Sequence, residues 1–196
     1  MMIQRKKFNI SLLGESQVGK TSIVKKLKND DFSEEGLLTA GIDSYIDEAE
    51  FDGKNYKFKI FDTAGQERFK SISKTTIKFS EGFMIIFSVI DRNSFERVGE
   101  WINSIKDTVQ IQSKSVYLIG NKIDAPNREV LNAEAVEYAR MNNLKYFETS
   151  AKTGHGVKEV FQQLYQDIYN LQKELGLDKE NLDLKDRNNK KGGGCC

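Results

Sequence analysis

Residues 14–21 spell Gly14-Glu15-Ser16-Gln17-Val18-Gly19-Lys20-Thr21, which fits the pattern G-x-x-x-x-G-K-[ST]. The stretch lies between a short apolar run, residues 8–13, and a helical pattern that continues through Leu27. In that setting the bare backbone N–H groups of the turn can cradle phosphate oxygens, and the helix N-terminus adds a favourable dipole. Lys20 would neutralise the β and γ phosphates, and the Thr21 hydroxyl would ligate Mg²⁺. A glycine turn with no ligand is the alternative, but chance supplies the pattern in only roughly 1% of chains of this length.

Strand-like and helix-like periodicities alternate outward from this turn. Residues 46–51 and 56–61 are strand candidates joined across Asp52-Gly53, a strong hairpin signal. Residues 83–89 and 116–120 are continuous apolar runs, and Tyr146 and Phe147 mark a short last strand. Phe95, Val98, Trp101, Ile102, Ile105 and Val109 recur at helical spacing, as do Val157, Val160, Phe161, Leu164, Ile168 and Leu171; Val136 and Ala139 mark a shorter helix. Trp101 and the aromatics of the last helix are expected in the core, and His155 on the surface. Strands interleaved with helices imply an α/β fold, a doubly wound, mostly parallel sheet with one antiparallel hairpin and helices on both faces.

Two further stretches give the phosphate turn a chemistry. Asp62-Thr63-Ala64-Gly65-Gln66 follows a strand directly. An aspartate at the carboxyl end of a strand beside the phosphate turn can hold Mg²⁺ through water. The Gly65 N–H could approach a γ-phosphate, and Gln66 could orient the attacking water. Asn121-Lys122-Ile123-Asp124 closes the fourth buried run. Asn121 can pair with the N7 and O6 edge of a purine, while the Asp124 carboxylate can accept from N1–H and N2–H₂ of guanine. Adenine has no N1–H donor, so an ATP-using enzyme is disfavoured: unpaired buried polar groups are costly.

These motifs, in this order, resemble the Ras superfamily of small GTPases and within it the Rab family, over roughly residues 8–172. Phe32, seven residues before Thr39, matches the aromatic that packs against the base. Thr39 matches the threonine of switch I that ligates Mg²⁺ and contacts the γ-phosphate in the triphosphate state. Glu148-Thr149-Ser150-Ala151-Lys152 matches the last base-binding loop, where the Ala151 N–H would reach guanine O6. Gln66-Glu67-Arg68-Phe69 matches the start of switch II.

The resemblance implies a P-loop NTPase fold with a six-stranded sheet and one antiparallel edge strand. It implies that GTP, GDP and the base are bound by Gly14, Glu15, Ser16, Gln17, Val18, Gly19, Lys20, Thr21, Ser22, Phe32, Thr39, Gly65, Asn121, Lys122, Asp124, Ser150, Ala151 and Lys152. Gln66 and Lys20 are the implied catalytic residues, and Thr21, Thr39 and Asp62 the implied Mg²⁺ set. The implied activity is slow GTP hydrolysis in a molecular switch of vesicle and membrane traffic. No residue is placed to supply an arginine in cis, so a GTPase-activating protein would set the rate. An exchange factor, effectors, and escort and dissociation-inhibitor chaperones are the other implied partners, and a monomer is expected.

Departures from the family pattern concern the surface that reports nucleotide state. Ser44, Phe61 and Thr76 occupy the positions of an aromatic triad, so one aromatic survives. Thr76-Ile77-Lys78-Phe79-Ser80 replaces a tyrosine-rich segment, and Ala40 replaces a bulkier aliphatic. An alternative function follows: a guanine-nucleotide-binding module with an altered effector surface that does not cycle.

Composition bounds the partners. Thirty basic and 29 acidic residues leave a formal charge of +1, so nothing in the bulk charge points to nucleic acid. No apolar run approaches the roughly 20 residues of a membrane-spanning helix, and Met1-Met2-Ile3-Gln4-Arg5-Lys6-Lys7 lacks a secretory signal or a myristoylation glycine.

The two cysteines, Cys195 and Cys196, are the last residues. Adjacent cysteines close almost no loop, and the single histidine is too remote to complete a zinc site. The ending Gly192-Gly193-Gly194-Cys195-Cys196 looks like the Rab tail, in which both cysteines carry geranylgeranyl chains. Two chains anchor stably where one does not. The expected organisation is a GTPase domain over 1–172 and a polar, disordered tail over 173–196 with a random-coil reach of roughly 27 Å. The expected location is the cytoplasmic face of an intracellular membrane, in exchange with cytosol.

Overall fold

A computed structural model describes residues 7–29, 42–63 and 70–176. Six strands form one sheet in the order β2-β3-β1-β4-β5-β6. They are β1 (Lys7–Leu13), β2 (Ile42–Phe51), β3 (Lys54–Thr63), β4 (Gly82–Ser88), β5 (Ser115–Asn121) and β6 (Lys145–Thr149). All neighbours pair in parallel except β2 and β3, which places the antiparallel strand at the edge. The helices are α1 (Lys20–Leu27), α2 (Lys70–Phe79), α3 (Arg92–Glu96), α4 (Val98–Lys106), α5 (Asn132–Met141) and α6 (Val157–Glu174). The expected fold class is the one observed.

Every residue of β4 and β5 is buried, as parallel strands covered on both faces require. Alternation along the central strand divides the core. Met84 and Ile86 join Ile10, Leu12, Phe58, Phe161 and Leu164 on one face. Phe83, Ile85 and Phe87 join Leu118, Phe95, Ile102 and Ile105 on the other. The hairpin turns at Asp52 and Gly53, with φ of 49° and 70°, the left-handed pair that suits the twist of two antiparallel strands.

Helix α6 follows its predicted stripe and seals the β2–β3 hairpin. The Tyr165 ring stacks on Phe58 at 4.0 Å and the Tyr169 ring on Phe51 at 4.9 Å. Their hydroxyls donate to Asp47 at 3.0 Å and Asp52 at 2.7 Å. Trp101 is buried and His155 exposed, as expected.

Three local expectations change. Strand β2 starts at Ile42 and not at residue 46, because its backbone pairs with β3 through the polar stretch Asp43-Ser44. The single helical pattern from Phe95 to Val109 is two helices, α3 and α4. They break at Arg97, where ψ of −5° opens the ladder and the Glu100 N–H donates to Arg97 O. On α5 the buried residues are Ala135 and Ala139, whereas Val136 is exposed; the small side chains let the helix lie against the sheet. Helix α6 continues through Glu174, with Gln172 buried. Among the described residues no helix is long and apolar enough to cross a membrane.

Candidate guanine-nucleotide site

The loops that leave the carboxyl ends of β1, β3, β5 and β6 converge, as ligand sites of doubly wound sheets do. Gly14 has φ of 138°, and a Cβ there would lie 2.1 Å from Ile86 O; Gly19 has φ of 100°, and a Cβ would lie 2.3 Å from Asn121 Nδ2. Both positions therefore demand glycine. Between them Gln17 is exposed and left-handed at φ 62°, Glu15 and Ser16 are half-buried, and Val18 is buried.

Lys20 opens α1, buried to 5% exposure, and donates to Gly14 O at 2.9 Å and Glu15 O at 2.7 Å. Burial pulls its ammonium from 10.5 down to about 8, against the opposing pull of Asp62 and Glu15. Such a partly desolvated cation gains strongly from a phosphate beside it. Ser22, the next residue but one, is half-buried on the same helix.

Thr21 donates through its hydroxyl to Asp62 Oδ2 at 2.5 Å, which joins the start of α1 to the end of β3. Asp62 is fully buried, and its other oxygen, Oδ1, has no hydrogen-bond partner among the described residues. Burial pushes this carboxyl above its ordinary value, only partly offset by the Thr21 hydrogen bond and by Lys20. A buried carboxylate oxygen without a partner, beside a hydroxyl, is a hard-oxygen donor set that fits Mg²⁺.

On the base side, Asn121 is fully buried and ties three segments together. Its Nδ2 donates to Val18 O at 2.8 Å, while Oδ1 accepts from Thr149 Oγ1 and from the Ala151 N–H, each at 3.2 Å. The Ala151 N–H expected at guanine O6 thus contacts Asn121, which acts as a strut between the loops. Lys122 is left-handed at φ 69° and half-buried; burial lowers its ammonium value against Asp91 and Asp124. Asp124 accepts from Ser150 Oγ at 2.5 Å, and that oxygen also accepts from the Thr153 N–H at 3.0 Å. Lys152 is exposed beside them.

Phe32, Thr39, Gly65, Gln66, Ala40 and the tail with Cys195 and Cys196 lie outside the described residues. Of the triad positions, Ser44 is exposed, Phe61 is half-buried with the Lys59 ammonium 4.7 Å above its ring, and Thr76 is buried. Sequence reasoning did not single out Thr149, Arg128 or the Val18 carbonyl. Only Thr149 carried a signal, as a member of the last base-binding motif.

The model of the Ras family matches residues 9–170. Among curated relatives, the "Ras-related protein Rab-13" of Mesocricetus auratus is 38% identical over 162 residues, covering 82% of this chain and 79% of that protein. The Rab-13 of Canis lupus familiaris is 36% identical over the same length, with the same coverage. The "Ras-related protein Rab-18-B" of Danio rerio is 35% identical over 159 residues, covering 81% of this chain and 78% of that protein. A family match of that extent, spanning both the phosphate side and the base side of the cluster, makes this chain a member of the Ras family and, within it, a divergent Rab-type GTPase.

Proposed function

We propose that this GTPase is a Mg²⁺-dependent switch of vesicle traffic that works from the cytoplasmic face of an intracellular membrane. The observation that carries the nucleotide chemistry is the Asn121–Val18 hydrogen bond, 2.8 Å long. It makes the phosphate turn and the base loops one rigid unit, so a purine nucleotide would be held at both ends at once.

Lys20 and the backbone N–H groups of residues 14–21 bind and charge-neutralise the β and γ phosphates. Asp124 accepts from the guanine edge and excludes adenine. Thr21 and Asp62, with Thr39, would hold Mg²⁺, which supplies neutralisation of the phosphate oxygens when bound. Gln66 orients the water that attacks the γ-phosphorus. Thr39 and Gly65 contact the γ-phosphate, so the segments that carry them relax when it leaves. Intrinsic turnover is slow, and an arginine from an activating protein adds roughly 10³ to 10⁵-fold. An exchange factor, effectors and lipid-binding chaperones complete the cycle, with geranylgeranyl chains on Cys195 and Cys196 as the anchor.

Single-turnover hydrolysis by the purified full chain, followed by chromatography of the nucleotide, tests the cycle. GDP formation is expected. GTP unchanged over many hours would favour a non-cycling module, a reading that family membership across residues 9–170 does not favour.

A further inference from the structure

Glu148 stands in the last base-binding motif yet has no part in the chemistry above. Its carboxylate accepts a forked pair from Arg128, Nη1 to Oε1 at 2.8 Å and Nη2 to Oε2 at 3.2 Å, and a third hydrogen bond from the Tyr146 hydroxyl at 2.9 Å. Glycine at residue 120 leaves room for the Tyr146 hydroxyl, since a Cβ there would lie 2.5 Å from it. Burial would push the Glu148 carboxyl up, but the hydrogen bonds it accepts, from Arg128 above all, outweigh it and hold the group below its ordinary value.

The placement of this cluster is what matters. Arg128 lies four residues beyond Asp124, in the loop that leaves β5, and Glu148 lies two residues before Ser150, at the end of β6. Between these two loops run the Ser150–Asp124 hydrogen bond and a 3.3 Å bond from the Ile123 N–H to Thr149 O. Both are made beside the base-binding groups themselves. The Arg128–Glu148 pair spans the same gap from outside, with side chains only 28% and 21% exposed. A forked, partly desolvated guanidinium–carboxylate pair is geometrically strict, unlike an exposed surface pair.

We propose that Glu148 and Arg128 are positioning residues for guanine recognition: their clamp sets the spacing between Asp124 and the Ser150–Ala151 loop, and so governs nucleotide retention and the preference for a base bearing N2–H₂. The inference rests on the guanine-site reading above.

The test compares the full chain with Glu148→Gln, Arg128→Gln and the double variant. Each is loaded with N-methylanthraniloyl-GDP or with the corresponding inosine diphosphate, which lacks the N2 amino group. Dissociation is followed after addition of excess GDP. Each single variant is expected to release GDP about tenfold faster, the scale of a hydrogen bond to a charged group. The double variant should release it no faster than the quicker single. The ratio of inosine to guanine off-rates should fall towards one, a change that a merely structural loosening of the fold would not produce.

Unchanged GDP release, strictly additive effects, or faster release of both nucleotides at a constant ratio would overturn the clamp. If Glu148→Gln does not fold, Arg128→Lys, which keeps the charge and loses the fork, is judged by the same rates and ratio. A parent chain that fails to retain GDP, or holds inosine diphosphate equally well, refutes the guanine-site reading itself. A parent that discriminates, with variants that behave identically, refutes the clamp alone.

Discussion

Asn121 Nδ2 donates to Val18 O across 103 positions of sequence, at 2.8 Å. This one hydrogen bond joins the loop after β5 to the phosphate turn, and Asn121 Oδ1 extends the tie to Thr149 and Ala151. Asn121→Ala therefore leaves three buried partners unsatisfied and, on the proposed reading, also removes a contact to the base. GDP affinity should fall by at least about a hundredfold, measured by titration of a fluorescent GDP, with loss of thermal stability in the nucleotide-free chain.

Gly19 is the neighbour that makes this bond possible. A methyl group there would press to 2.3 Å from Asn121 Nδ2 on a backbone at φ 100°. Gly19→Ala should lower stability by about 1–3 kcal/mol and weaken nucleotide binding together, read by chemical denaturation and by the same titration.

Gln66→Leu separates chemistry from binding. The substitution should slow single-turnover GTP hydrolysis by at least about tenfold while the affinity for GTP changes little. Unaltered turnover would remove Gln66 from the mechanism.

The Glu148 clamp has a defined pH window. The carboxyl titrates at 4.5 when unperturbed, and the fold holds it lower. Its contribution is thus fully present above 4.5 and is lost as the pH falls through the depressed folded value. In excess GDP, Glu148→Gln should melt below the parent at pH 7, and the gap should close as the buffer is taken well below 4.5.

Membrane attachment is tested on the tail. A tagged Cys195→Ser/Cys196→Ser chain should become cytosolic while the parent is found on an intracellular membrane. A variant retained on the same membrane would refute the lipid anchor.

Much of this protein is determined by local sequence. The eight residues from Gly14 to Thr21, the unbroken apolar runs of β4 and β5, and the Asp52-Gly53 turn each specify a backbone geometry through sterics or burial. Those constraints act between near neighbours, so they are legible one segment at a time. The motif residues likewise named the chemistry, since a carboxylate such as Asp124 can only accept hydrogen bonds.

Tertiary structure decided what those groups do to one another. Thr21 meets Asp62, Asn121 meets Val18, and Arg128 meets Glu148 only after the sheet has aligned the ends of β1, β3, β5 and β6. The single helical stripe from Phe95 to Val109 broke at Arg97, and Val136 turned to solvent while Ala135 turned inward. Periodicity marks an apolar face but carries no information about the surface it must fit. Burial is likewise a property of the assembled fold: it moves Lys20 down and Asp62 up, and it leaves a carboxylate oxygen, Asp62 Oδ1, without a hydrogen-bond partner among the described residues, which a cation would satisfy.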